Sequence, residues 1–115
     1  MTGQADARLV VLSTAPDREV AAALAAMLVG ERLAACVNLV GGVESIYRWD
    51  GEICTDTEVL MVLKTTESRL EALVDALNKA HPYDCPEIVA LPVVGGSADY
   101  LNWISTSLAG PDNQD

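Results

Sequence analysis

One imidazole and three thiols are the chain's softer candidate ligands: His81, Cys36, Cys54 and Cys85. Thiolate and imidazole suit copper and zinc, whereas the carboxylates of Glu58 and Glu87 suit harder ions. The thiol spacing matches no C-x-x-C zinc template, and three thiols cannot all pair within one chain, so neither a zinc module nor a disulfide framework is expected. With one His, a specific metal site at Cys36 and His81 needs groups from two subunits or is shallow and weak. Cys36 otherwise reads as a small buried hydrophobe on a strand. Copper heads the Irving–Williams order, so Cu(II) is the divalent ion expected to bind, weakly to moderately, and no cofactor is required.

A second group lies in His81-Pro82-Tyr83-Asp84-Cys85-Pro86-Glu87. Two prolines stiffen this loop and hold an imidazole, a phenol and a carboxylate, as a ligand pocket or a tightly packed interface loop would require. Lys64 closes an apolar strand and is expected to meet Glu87, as an ion pair or as an anion-recognition group. Lys64, Tyr83, Glu87 and Trp103 are the candidate contacts for a small ligand. Ser13 and Thr14 read as helix caps, no Gly-rich phosphate loop is present, and no nucleophile is paired with a base, so the expectation is a binding protein rather than an enzyme.

The elements that must position these groups follow from periodicity. Leu9–Leu12 is a continuous β-prone run, as in a strand buried on both faces. Val20, Ala23, Leu24, Met27 and Leu28 form one helical stripe that ends near Gly30. A long bent strand from Leu33 to Trp49, bulged at Gly41-Gly42, turns at Asp50-Gly51 and returns from Glu52 to Thr65. Such a hairpin, about 50 Å at ~3.3 Å per residue, overhangs a domain of this size and asks for a partner. A second helix spans Ser68–Ala80, a fourth strand Ile88–Val94 and a third helix Asp99–Leu108. The order βα, ββ, αβ is that of an α+β, ferredoxin-like split βαβ sandwich with one helix added at its C-terminal end.

Composition narrows the partners. The 115 residues fit one domain, expected at 8–108, with 1–7 and 109–115 frayed. Seven Lys and Arg against seventeen Asp and Glu give −10, which disfavours nucleic acid and anionic membranes. There is no Phe, so Tyr47, Trp49, Tyr83, Tyr100 and Trp103 are the only aromatic rings besides His81. Each has a polar handle, which favours interfaces or pockets; Tyr47, Trp49 and Tyr100 are the interface candidates. The first residues lack a signal peptide's basic and apolar regions, and no apolar run reaches membrane-span length, so the cytosol is the expected compartment.

Several strings act together: Leu33-Ala34-Ala35-Cys36-Val37-Asn38, Ser45-Ile46-Tyr47-Arg48-Trp49-Asp50-Gly51-Glu52-Ile53, Lys64-Thr65, His81-Pro82-Tyr83, Pro86-Glu87-Ile88 and Tyr100-Leu101-x-Trp103. In this order, over about Leu9–Leu108, they resemble the CutA family of divalent cation tolerance proteins. The resemblance implies a ferredoxin-like protomer in a tight homotrimer, a cytosolic role in tolerance to copper and other divalent metals, and an assembly similar to PII-type signalling trimers. A PII-like trimer binding a small ligand between subunits is the alternative. Cys54, Cys85 and Gly41-Gly42 depart from the family pattern, and the two cysteines carry no family role.

Overall fold

The apolar run at Leu9–Leu12 lies in β1 (Arg8–Ala15), an inner strand of a computed structural model that describes residues 6–109. The parts of the expected frayed ends at 1–5 and 110–115 lie outside the described residues. After β1 come α1 (Arg18–Gly30), β2 (Cys36–Trp49), β3 (Glu52–Thr66), α2 (Glu67–Ala80), β4 (Ile88–Pro92) and α3 (Ala98–Leu108). The strands lie in the order β2-β3-β1-β4 with every pairing antiparallel, which is the ferredoxin-like arrangement expected from the sequence.

Strand alternation divides the sheet into two unlike faces. Val11, Met61 and Leu63 meet Leu24 and Leu28 of α1 and Leu73 and Leu77 of α2, and these side chains form the dry core. The alternate positions, among them Val40, Val89 and Leu91, face away from α1 and α2, and these three are exposed. Chemistry-bearing residues lie on that second face too, because Cys36, Lys64 and Val10 share one cross-strand row.

The hairpin forms where the turn chemistry demands. Asp50 and Gly51 both adopt left-handed angles, φ 52° and 78°, the two-residue turn that matches strand twist. Gly41 and Gly42 form the expected bulge: pairing jumps from Val40↔Leu60 to Val43↔Glu58, and Gly42 sits at φ 73°. β1 accompanies β3 only as far as Ala15↔Val59, so the ribbon beyond Glu58 has no third strand. From Val43 to Trp49 it projects about 20 Å, and the molecule measures 51 × 26 × 22 Å.

Several boundaries differ from the sequence reading. β1 runs through Ser13 and Thr14, which are therefore strand residues and not caps; Asp17 caps α1, accepting from the Val20 N–H at 2.9 Å. β2 begins at Cys36 rather than Leu33. Arg32 takes φ 59°, and the N–H groups of Leu33 and Ala34 turn back to the Leu28 carbonyl at 2.9 and 3.2 Å, so they close the helix end instead of joining a ladder. β4 stops at Pro92 and leaves Val94 fully exposed. α2 and α3 each start one residue earlier than expected, and β3 extends one residue further, to Thr66. Asp6 and Ala7 bond the first turn of α2, through Ser68 N–H at 3.0 Å and Glu67 N–H at 2.8 Å, so the ordered chain precedes Arg8.

Candidate functional site

His81 caps the C-terminal end of α2, where Pro82 forces the chain out of the helix. The last β1–β4 pair is Ser13↔Ile88, and one residue further the Thr14 carbonyl accepts from His81 Nε2 at 2.7 Å. The Tyr83 N–H donates to His81 Nδ1 at 3.1 Å, which fixes the neutral ring with its proton on Nε2. The two rings pack with centroids 4.7 Å apart. Tyr83 then reaches across the end of β1, and its hydroxyl donates to Glu58 Oε2 at 2.7 Å. Glu58 is only 9 % exposed, so this bond satisfies a carboxylate with little access to water. Burial, then the bond to Glu58, push the Tyr83 phenol well above its ordinary value.

A parallel pair lies beyond the bulge. Tyr47 stands opposite Cys54, one step diagonal from Asp56, and its hydroxyl donates to Asp56 Oδ2. That bond, more than any other cause, pushes the Tyr47 phenol up to about 12. Two phenol–carboxylate couples thus follow one another along the hairpin, Tyr83–Glu58 at its root and Tyr47–Asp56 further out, and Trp49 stands exposed at its tip.

Cys36, Lys64, Tyr100 and Trp103 gather at the other end of the sheet. Cys36 is half-buried opposite Lys64, whose ammonium donates to Asn38 Oδ1. The Tyr100 phenol is raised by burial and then by the neighbouring Cys36 thiol. Tyr100 stacks on Trp103 with centroids 5.6 Å apart, and both rings are exposed.

The candidate residues therefore fall into two groups in one protomer. Cys36 lies two strands across and four residues along from Thr14, which holds His81, a backbone separation of about 16 Å. Cys36 and His81 do not converge within one chain, and both His81 nitrogens are already bonded, so the imidazole offers no free lone pair for a metal. The expected Lys64–Glu87 pair is absent for the same geometric reason: Lys64 is level with Leu91, four residues and two strands from the exposed Glu87. Among the described residues the one ion pair is Lys79–Asp75, at 3.0 Å. Among the same residues no group of three His, Cys, Asp or Glu is placed to hold a metal, and no helix there is long and apolar enough to cross a membrane. The Tyr47–Asp56 couple escaped the sequence reading, although the Asp50-Gly51 turn fixes the register that creates it.

Residues 9–107 match the sequence pattern of the CutA1 divalent ion tolerance protein family. The chain belongs to the CutA1 family. The divalent-cation tolerance protein CutA of Salmonella newport is 49% identical over 100 residues, 87% of each chain. The chloroplastic protein CutA of Arabidopsis thaliana is 48% identical over 99 residues, 86% of this chain but 54% of that protein, so the chain spans about half the length of this plant relative. Among solved structures, the divalent cation tolerance protein Cut A1 of Thermus thermophilus aligns with TM-score 0.83 at 50% identity, covering 84% of this chain and 94% of that one. CutA1 of Oryza sativa aligns with TM-score 0.87 at 45% identity, covering 89% and 94%. The strings that carried the resemblance lie at the start of β2, around the hairpin turn, at the end of β3, in the 81–88 segment and in α3.

Proposed function

We propose that the protein serves divalent-cation tolerance, copper included, as a non-enzymatic cytosolic homotrimer that takes up metal where its copies meet. The observation that carries this reading is the hairpin. A two-stranded ribbon is marginal in water by itself, yet this one projects past the sheet with Ile46, Trp49 and Ile53 at 68, 63 and 70 % exposure. The apolar second face and the free edges of β2 and β4 ask for the same kind of cover. Divalent-cation tolerance in the names of the relatives supports the metal. Cys36, half-buried on that face beside the edge, is the side chain best suited to a soft ion. Because one protomer assembles no donor set among the described residues, the remaining ligands come from a neighbour.

Two measurements test the reading. Light scattering is expected to give about three times the 12.2 kDa chain mass; a monomer at micromolar concentration overturns the assembly and the shared site together. Calorimetry with Cu(II) then compares wild type, Cys36→Ala and His81→Ala, each first checked for assembly, at two pH values and two salt concentrations. Protons compete with metal for a thiolate, so affinity falls on acidification, and Cys36→Ala loses it. If both variants bind like wild type and salt abolishes the signal, the metal sits on a diffuse acidic surface, and a PII-like trimer with a small ligand between subunits becomes the better reading.

A further inference from the structure

Three of the chain's seven cationic side chains, from three different parts of the fold, bond α3, Arg32 and Arg69 at its last two carbonyls and Arg8 along its middle. Arg32, from the turn after α1, donates through Nη1 to the Ser107 carbonyl at 3.0 Å. Arg69 of α2 donates through Nη2 to the Leu108 carbonyl at 2.6 Å. Arg8 of β1 donates through Nε to the Leu101 carbonyl at 3.2 Å and to Ser105 Oγ at 3.1 Å, and through Nη2 to Asn102 Oδ1 at 3.4 Å. The last turn of α3 has no basic residue of its own, so guanidinium groups from elsewhere meet the negative end of its dipole.

Among the described residues, helix capping leaves most of these donors unspent. A guanidinium carries five N–H groups, and the hydrogen bonds above use one on Arg32 and one on Arg69. Their carbonyl acceptors belong to consecutive residues at the end of α3. In a protein of net charge −10 these cations would readily find acids, yet among the described residues none of the three forms an ion pair. Asp6 feels the charge of Arg69 but directs both its oxygens to Ser68. All three arginines are half-buried, where charge is screened less than at full exposure.

We propose that the end of α3 is an oxyanion site for a phosphate group, held by the forks of Arg32 and Arg69 with Arg8 adding charge. Planar guanidinium forks match phosphate oxygens in pairs, which a lone lysine does not. The test is calorimetry of the intact protein with inorganic phosphate, glycerol phosphate and acetate, each against sodium chloride of equal ionic strength. One saturable phosphate per chain is expected, weakened about tenfold or more in Arg32→Gln and Arg69→Gln and unchanged in Arg48→Gln, whose side chain is exposed on the hairpin. Gln keeps a donor for the α3 carbonyl; should either Gln variant unfold, Arg32→Lys and Arg69→Lys keep the charge without the fork and are expected to bind several-fold more weakly than wild type. Tighter binding of glycerol phosphate points to a phosphate ester, and tighter binding of inorganic phosphate to the free ion. Heat no larger than that of chloride, equal binding of acetate, unaltered binding in the arginine variants, or equal weakening in Arg48→Gln overturns the proposal.

Discussion

Tyr83→Phe removes one oxygen and tests whether the 81–87 loop is held through Glu58. The hydroxyl donates at 2.7 Å to a carboxylate that is 9 % exposed. A hydrogen bond to a charged group contributes about 1.5–3 kcal/mol, and since Tyr83 is itself half-buried and water can partly replace it, the low end, about 1.5 kcal/mol, applies. For a domain of ~100 residues, 1 kcal/mol moves the melting midpoint by about 4–8 °C, so a drop of about 6–12 °C is expected. The assay is thermal and urea unfolding at one fixed protomer concentration, because any assembly makes the midpoint depend on concentration. Glu58→Gln supplies the control: it keeps an oxygen acceptor but removes the charge, so Tyr83→Phe in that background should cost about 0.5–1 kcal/mol, with the remainder read as coupling. A loss below about 0.3 kcal/mol in both backgrounds would refute the claim that Glu58 anchors the loop, and the Tyr83 hydroxyl would then be an incidental surface contact.

Ser13 Oγ is fully buried with no hydrogen-bond partner among the described residues, so Ser13→Ala should stabilise the protein by about 1 kcal/mol in urea unfolding; destabilisation would mean that the hydroxyl has found a partner. Tyr47 has its value raised from 10.0 to about 12 by the bond to Asp56, so the stability it lends is complete below about pH 10 and fades as the pH climbs towards 12. Ultraviolet titration of tyrosinate should find this late group in wild type and an earlier one in Asp56→Asn. Trp49→Ala should weaken assembly on dilution before it unfolds the protomer, by more than about 2 kcal/mol if the ring anchors a neighbouring copy. Full assembly at high dilution with unchanged thermal stability would place Trp49 outside any interface.

What could be read from the sequence is what the chain decides locally. The Asp50-Gly51 turn and the Gly41-Gly42 bulge each depend on a few neighbouring residues and stand where the pattern put them, while the stripe of α1 is rotated slightly, with Leu24 and Leu28 buried as expected but Ala21 in the core and Ala23 exposed. The Tyr47–Asp56 couple belongs in this class, since a two-residue turn at 50–51 sets Trp49↔Glu52 and thereby brings Tyr47 diagonal to Asp56. The cap at Asp17 is hidden in the sequence because a strand end and a helix start carry similar hydroxyl signals, and only pairing with Val59 shows that β1 continues to Ala15.

The site itself depends on closure of the sheet, which no local pattern reveals. His81 and Thr14 are 67 residues apart, and their bond exists because β4 stops pairing at Ser13 and leaves the next carbonyl of β1 to the loop. The same closure separates Lys64 from Glu87, two residues whose charges invite a pairing that the strand order β2-β3-β1-β4 forbids. It also brings Arg32 and Arg69 together at α3, across 75 and 39 residues. Charge type and loop stiffness thus name candidate groups, and the register of β1 decides which of them meet. One consequence concerns His81. Its neutral ring is held by a donor on one side and an acceptor on the other, so a metal could claim Nδ1 only by displacing the Tyr83 N–H and loosening the loop that satisfies Glu58. Copper uptake through Cys36 requires no such rearrangement, which is why the two alanine variants should separate: Cys36→Ala should change the metal, and His81→Ala should change the loop.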